Sequence, residues 1–206
     1  IYELFRAIEE DRKKGFKPIC VIGNAGTINT GAIDDLNAIA DLCKKEKLWF
    51  HVDGAIGAIA MLSEKVKPLL SGIERADSVA LDLQKWMHIP FEAGCILVKN
   101  NEGHLTTFSL TPEYLAHETR GLPGGHLWFS DYGIQLSRQF RALKIWMSVK
   151  EHGLKRFGRM IDRNIEQANY FADLVKKNSQ MKLVAPVGLD IVCFRFNPGG
   201  LNDEAL

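Results

Sequence analysis

Four short apolar, β-rich runs in the first hundred residues constrain the fold most strongly. The runs are Pro18–Gly23, Leu48–Val52, Ser78–Leu83 and Gly94–Lys99. Between the first two, apolar residues recur at the i, i+3, i+4, i+7 spacing of an amphipathic helix, with Asp34 or Asp35 as its N-cap. Strands that alternate with helices favour an α/β fold with a mainly parallel sheet. Only ten residues separate the last two runs, so we expect one strand of that pair to be antiparallel.

The pattern changes after residue 100. Residues 103–131 look irregular and include the Gly/Pro-rich segment Arg120–His126. A long helix is predicted over Tyr132–His152, a second over Leu154–Lys177, and a new strand over Asp190–Phe196. The last residues, 201–206, read as a helix start capped by Asn202 or Asp203. We therefore expect the second domain to be incomplete.

Composition is that of an ordinary globular protein and excludes several classes of function. The 206 residues are 46% hydrophobic and 25% charged, and the net charge is +1, which favours neither nucleic acid nor an anionic membrane surface as a partner. No apolar run is long enough to span a membrane, and the amphipathic N-terminal segment lacks signal-peptide features.

Cysteine and histidine spacing argues against a metal site. The four cysteines are scattered without a C-x-x-C pair, and the six histidines show no metal-ligand spacing. We expect buried free thiols in a reducing cytosol and no bound metal.

Polar side chains follow three of the predicted strands. They are Asn24–Thr27, His51–Ala55 and Asp82–Lys85. In open α/β sheets, ligands bind beyond these strand ends. A pyridoxal-phosphate (PLP) enzyme needs a lysine to form an imine with the cofactor and a carboxylate to hold a proton on its pyridine nitrogen. Lys85 and Asp53 are candidates, although such residues are more often surface lysines and helix caps.

Four segments of the sequence resemble those of a known protein family. They are GNAGTINTGAIDD (Gly23–Asp35), WFHVDGAIGA (Trp49–Ala58), GIERADSVALDLQKWMHIPFEAGCILV (Gly72–Val98) and SDYGIQLSRQFRALKIW (Ser130–Trp146). In this order and spacing they resemble the group II PLP-dependent decarboxylases, which act on glutamate, aromatic amino acids, histidine and related substrates. The resemblance implies the aspartate-aminotransferase-type fold (fold type I), a three-layer αβα arrangement, a cytoplasmic homodimer with active sites at the subunit interface, and decarboxylation of an L-amino acid.

The resemblance also assigns roles to individual residues. Lys85 corresponds to the lysine that forms the Schiff base, and Asp53 to the carboxylate on the pyridine nitrogen. Ala55 corresponds to the small residue against the ring, and Thr27 and Asp82 to polar positions at the cofactor's rim. His51 either supports Asp53 or is a satisfied core histidine.

Several residues depart from the family pattern. Gln84 replaces the usual histidine beside the lysine, and it can bind a phosphate oxygen but cannot shuttle a proton. Ile28 stands where many members have threonine. The family's loop tyrosine falls near Leu127–Phe129, with Tyr132 the nearest tyrosine and His126 an alternative proton donor. These departures keep two other readings open: a PLP-dependent aldehyde synthase or carbon–carbon lyase, and a catalytically inactive binding protein.

The resemblance also predicts how the chain divides into domains. The family's ring-stacking histidine and main phosphate-binding segment would precede residue 1, so we expect a fragment. Residues 1–128 would form the later part of the large PLP-binding domain. Residues 129–206 would form the connecting helices and the start of a small C-terminal domain.

Overall fold

A computed structural model describes residues 1–109, 121 and 128–199. The elements in chain order are α1 (Tyr2–Lys13), β1 (Cys20–Asn24), α2 (Leu36–Glu46), β2 (Trp49–Asp53), β3 (Ser78–Asp82), α3 (Leu83–Trp86), β4 (Gly94–Val98), α4 (Asn101–Phe108), α5 (Arg141–His152), α6 (Leu154–Lys177), β5 (Met181–Leu183) and β6 (Phe194–Phe196). Short 3-10 helices lie between β2 and β3, at Gly57–Leu62, Lys67–Leu70 and Ile73–Arg75, and before α5, at Phe129–Tyr132. None of the described helices is long and apolar enough to cross a membrane.

The main sheet has the strand order β1-β2-β3-β4. Strands β1, β2 and β3 are parallel, whereas β3 and β4 are antiparallel, as the short connection between them predicted. Asn24 and Asp53, the last residues of β1 and β2, lie level with each other and with Ala80 in the middle of β3. The alternating α/β pattern is therefore confirmed, with strand bounds within two residues of those predicted.

Helix α2 covers one face of this sheet. Asp35, one of the two predicted caps, begins the helix by accepting a hydrogen bond from the backbone nitrogen of Ala38 at 3.0 Å. Asp34 instead accepts from the backbone of Asn24 at 2.7 Å and so ties the start of the helix to β1. The helix buries its predicted apolar face, Leu36, Ile39, Ala40, Leu42 and Cys43. Phe50 of β2, only 1% exposed, lies in the same core.

The cysteines are less uniformly buried than we expected. Cys43 is buried in α2, and burial raises the pKa of its thiol to about 11. Cys95 and Cys193 are half-buried, but Cys20 is exposed, so the prediction for Cys20 was wrong. Cys20 lies on the sheet face opposite α2, and the described residues leave apolar side chains of that face, including Ile22 and Ile96, exposed.

Helix α6 has the predicted bounds and packs against the connection between β2 and β3. Asp162 accepts a hydrogen bond from the hydroxyl of Ser63, which is 1% exposed. Gly158 lies so close to the backbone of Leu62 that an added methyl group would come within 2.2 Å of its carbonyl oxygen. Phe157 and Ile161 of the same helix join the main core. The second half of the chain is thereby fixed to the first.

Three predictions after residue 100 were wrong in detail. Residues 103–108, predicted to be irregular, belong to α4, because the Asn100 side chain caps this helix by accepting from the backbone nitrogen of Gly103. The helix predicted from Tyr132 begins only at Arg141. Gly133 disfavours helix in the preceding segment, whose apolar residues Ile134, Leu136 and Phe140 are all exposed.

Of the predicted strand over Asp190–Phe196, only Phe194–Phe196 forms a strand, and its partner β5 was not foreseen. The first residues of that predicted strand form a tight turn closed by hydrogen bonds between Gly188 and Ile191. The helix start predicted over 201–206 and the segment Arg120–His126, apart from Gly121, lie outside the described residues.

Candidate active site

The turns that follow β1 and β2 are each hydrogen-bonded to the neighbouring strand at one edge of the sheet. The backbone nitrogen of Ala25 donates to the carbonyl of Asp53 at 2.8 Å, and Gly54 donates to the carbonyl of Ala80 at 3.0 Å. Asp53 is level with Ala80, so Asp82 lies two residues further along β3 with its side chain on the same face as Asp53. The parallel sheet thus brings two predicted site carboxylates to one edge and one face.

Lys85 lies one helical turn beyond Asp82, on the short helix α3. Its Nζ is 3.0 Å from the Asp82 Oδ2 atom, and both side chains are partly exposed. The adjacent Trp86 is buried and donates from Nε1 to the Asn164 Oδ1 atom of α6 at 3.1 Å. Helix α3 is therefore anchored on its buried side and presents the Lys85 amine on the other.

The Asp53 carboxylate is oriented by its own turn. The backbone nitrogen of Ala55 donates to Asp53 Oδ1 at 3.1 Å. This hydrogen bond engages one carboxylate oxygen and fixes the plane of the group, while the side chain stays exposed. The second oxygen can then accept from a ring N–H, and the short Ala55 side chain leaves room for a flat ring beside it.

Gln84 has a fixed orientation as well. Its Oε1 atom accepts a hydrogen bond from the backbone nitrogen of Ala93 at 2.9 Å. Since the amide oxygen is engaged by this donor, the NH₂ group faces away from Ala93 and can donate to an anion. The phosphate-binding role of Gln84 stays a prediction.

Two other predicted residues bond mainly to the protein itself. The Thr27 hydroxyl is 2.9 Å from the Thr30 hydroxyl and accepts from the backbone nitrogen of Ala32 at 3.1 Å, so Thr27 closes its own turn. The His51 Nδ1 atom is 2.7 Å from the Ser78 hydroxyl, which also accepts from the Trp49 indole at 2.8 Å. His51 thus lies on the same face of β2 as Asp53, with its Nδ1 atom paired to Ser78.

Sequence reasoning missed three supporting residues: Ser78, Ala93 and Asn164. Ser78 lies beside His51 only through the β2–β3 register, and Asn164 reaches Trp86 from a helix 78 residues away. Ala93 acts through its backbone nitrogen, and the type of side chain does not indicate which group a backbone nitrogen will bond to. Within the described residues, no three His, Cys, Asp or Glu side chains gather as metal ligands.

Taken together, the side chains at this edge fit PLP chemically. Lys85 supplies an amine for the aldehyde, Asp53 a carboxylate for the pyridine nitrogen, and Gln84 an amide donor for the phosphate. A separate cavity of about 620 Å³, lined by residues 30–37 and 185–189 among others, contains none of these three groups.

The comparisons with known proteins agree with this chemistry. Residues 1–197 match the family model described as the pyridoxal-dependent decarboxylase conserved domain. The aromatic-L-amino-acid decarboxylase of Bacillus atrophaeus is 46% identical over 96% of the chain, and the 3,4-dihydroxyphenylacetaldehyde synthase of Drosophila melanogaster is 34% identical over 96%. The chain spans about two fifths of the length of these relatives, 41% and 38%.

Solved structures confirm the fold class. The crystal structure of Oryza sativa TDC with PLP and tryptamine superposes with a TM-score of 0.86 and 28% identity, over 94% of this chain and 39% of that one. The predicted aspartate-aminotransferase-type fold is thus confirmed, together with pyridoxal phosphate as the family's cofactor. On these matches, the chain belongs to the pyridoxal-dependent decarboxylase family.

Proposed function

We propose that the protein containing this chain decarboxylates an L-amino acid to the corresponding amine and CO₂, with PLP attached at Lys85. One observation carries the proposal: the Lys85 amine and the Asp53 carboxylate lie at neighbouring strand ends of a pyridoxal-dependent decarboxylase domain. Aromatic amino acids are the first substrate class to test, because the Bacillus relative that shares 46% identity is an aromatic-L-amino-acid decarboxylase.

Each residue has a distinct task in this proposal. When bound, the cofactor supplies an electron-accepting ring that stabilises the charge left at Cα when CO₂ departs. Asp53, fixed by the Ala55 backbone, holds a proton on the ring nitrogen. Gln84 donates to the phosphate, Ala55 leaves space for the ring, and Asp82 holds the Lys85 amine whenever that amine is free.

An aldehyde synthase is the second candidate. Gln84 cannot shuttle a proton, whereas the histidine usual at this position can. A site that protonates Cα poorly leaves more time for two-electron oxidation by dioxygen, which together with water would yield an aldehyde, ammonia, CO₂ and hydrogen peroxide. The 34% identity to a Drosophila aldehyde synthase supports this candidate.

Product analysis separates the candidates. The full-length protein is incubated with PLP and a panel of L-amino acids that includes the aromatic ones, with Lys85→Ala as the control. Decarboxylation predicts equal amounts of CO₂ and amine without oxygen uptake. Aldehyde and ammonia with oxygen uptake would instead assign the synthase reaction, and cleavage elsewhere in the substrate would assign a carbon–carbon lyase. No product from the wild-type protein with any of these amino acids would favour the catalytically inactive binding protein, and turnover retained by Lys85→Ala would refute the role proposed for Lys85.

We also propose that the protein is a homodimer. Helix α5 exposes Leu143, Trp146 and Met147 along one side, and the segment before it exposes Ile134 and Phe140. An apolar surface of this kind is typical of a protein–protein interface.

The free cysteines support a reducing, cytoplasmic location for the protein. The division of the chain into two domains near residue 128 also stays a proposal.

A further inference from the structure

Leu189 lies at the tip of a tight turn but is buried. The turn is closed by two backbone hydrogen bonds between Gly188 and Ile191, of 3.3 and 2.9 Å. Leu189 has a φ of 54°, in the left-handed region that leucine rarely adopts, yet it is only 6% exposed. Such a backbone conformation persists where surrounding contacts enforce it.

The Leu189 side chain fills a slot between two glycines of the candidate active site. A methyl group on Gly26 would come within 2.8 Å of Leu189 Cδ1, and a methyl group on Gly57 within 3.0 Å of the same atom. Gly26 precedes Thr27 in the turn after β1, and Gly57 ends the turn after β2 that carries Ala55. One leucine side chain thus touches both turns.

Backbone contacts reinforce this arrangement. A methyl group on Gly31 would come within 2.0 Å of the Gly188 carbonyl oxygen, so the two backbones are in direct contact. The two site turns are themselves joined, because Gly57 donates to the carbonyl of Ala25 at 2.9 Å. The turn at 188–191 therefore packs against a linked pair of turns at the cofactor edge of the sheet.

We propose that Leu189 is a positioning residue for the cofactor site, which holds the Gly26–Gly31 and Gly54–Gly57 turns in place from the C-terminal part of the chain. Leu189 acts through these turns rather than by touching the reacting atoms. The proposal rests on the proposed function for its consequence, which is tighter cofactor binding, but its structural half is independent of any cofactor.

Two measurements on the full-length protein test the proposal. Hydrogen–deuterium exchange of the cofactor-free protein follows the backbone amides of Gly26, Thr27 and Gly57, and titration with PLP gives the dissociation constant. The main variant is Leu189→Gly, because glycine removes the side chain and adopts a φ of 54° without strain. Leu189→Asn, which also tolerates this region, repeats the test with a second side chain.

We expect Leu189→Gly and Leu189→Asn to speed exchange at these amides and to raise the PLP dissociation constant roughly tenfold, as for loss of a supporting contact around a site. Leu189→Met, which keeps a long apolar side chain, should leave the exchange rates and the dissociation constant close to those of the wild type. Val175→Ala, which truncates a fully buried side chain of α6, controls for general destabilisation and should lower Tm without moving either readout.

Unchanged exchange at these amides in Leu189→Gly and Leu189→Asn would overturn the proposal, and so would an equal effect of Val175→Ala. Faster exchange with an unchanged dissociation constant would overturn the link to cofactor binding. A wild-type protein that binds no PLP would instead refute the proposed function, since the exchange measurement is made without the cofactor.

Discussion

At the scale of single residues, the contact between Lys85 and Asp82 changes how the site is understood. The family resemblance predicted that Asp82 lines the rim of the cofactor. In the structure its Oδ2 atom lies 3.0 Å from the Lys85 amine. An amine held by a carboxylate must leave it before it can attack a carbonyl carbon. Asp82 is therefore a partner of the lysine in the cofactor-free site.

Replacing Asp82 by asparagine should release this amine. In the cofactor-free protein, we expect the Lys85 amine to be acylated about two to five times faster in Asp82→Asn than in the wild type. The increase is this small because a partly exposed ion pair holds the amine only weakly. Peptide mass mapping after brief treatment with an acylating reagent measures the rate. Lys65, which pairs with Glu166 at 2.9 Å, is the internal control and should not change. Equal Lys85 rates in both proteins would contradict a restraining role for Asp82.

The orientation of Gln84 leads to a second residue-scale prediction. In Gln84→Glu, one carboxylate oxygen can still accept from the Ala93 backbone, but the amide donor is replaced by negative charge. We expect PLP to bind at least about tenfold more weakly, because a carboxylate repels phosphate and cannot donate to it.

Absorbance titration with PLP measures this affinity. Gln180→Glu, at an exposed position in the turn before β5, introduces the same charge and should leave the affinity unchanged. Equal affinities in the two variants would show that Gln84 does not face the phosphate.

At the site, the sequence could nominate single residues where a local segment resembles the decarboxylase family. Lys85, Asp53 and Gln84 lie within such segments, and their roles stay predictions. Ser78 and Leu189 were not predictable, because each acts through a neighbour distant in sequence: Ser78 through the β2–β3 register, and Leu189 through a turn more than 130 residues from the loops it touches.

At the scale of elements, the predicted bounds of a helix or strand are most accurate where its apolar residues repeat most regularly in the sequence. Helix α6 has the predicted bounds because its apolar stripe repeats over 24 residues. Helix α5 begins nine residues later than predicted, since exposed apolar residues such as Ile134 imitate a helical pattern without packing on the core. Strand β5 has only three residues, too few for periodicity to distinguish it from a loop.

The packing of α6 leads to an element-scale prediction at Gly158. Helix propensity alone favours alanine there by about 1 kcal/mol. The added methyl group would, however, come within 2.2 Å of the Leu62 carbonyl oxygen, a backbone atom that cannot rotate away. Overpacking of this kind costs about 3 kcal/mol, so Gly158→Ala should lower the free energy of unfolding by about 2 kcal/mol.

Denaturant unfolding of the full-length protein measures the effect. Arg163→Ala, at an exposed position of the same helix, should change the free energy of unfolding by less than about 0.5 kcal/mol. A Gly158→Ala protein as stable as wild type would show that α6 does not approach Leu62 this closely.

At the scale of the whole molecule, the exposed apolar side of α5 supports the proposed dimer. We expect Trp146→Glu to weaken the dimer by on the order of 2 kcal/mol or more, because a large exposed aromatic is replaced by a charge that an interface would have to desolvate. Analytical ultracentrifugation across a range of concentrations measures the shift. Tyr2→Glu, which changes an exposed aromatic of α1, should leave the dimer intact. A wild-type monomer would refute the proposed dimer, and an unshifted Trp146→Glu dimer would place the interface elsewhere.

The proposed function depends above all on the attachment of PLP to Lys85. Borohydride reduction of the full-length protein incubated with PLP, followed by peptide mass mapping, locates the attachment. We expect a phosphopyridoxyl mass on the peptide that carries Lys85, and none on that peptide in Lys85→Ala. A folded wild-type protein with no label on Lys85, or with its label on another lysine, would refute the attachment of PLP to Lys85.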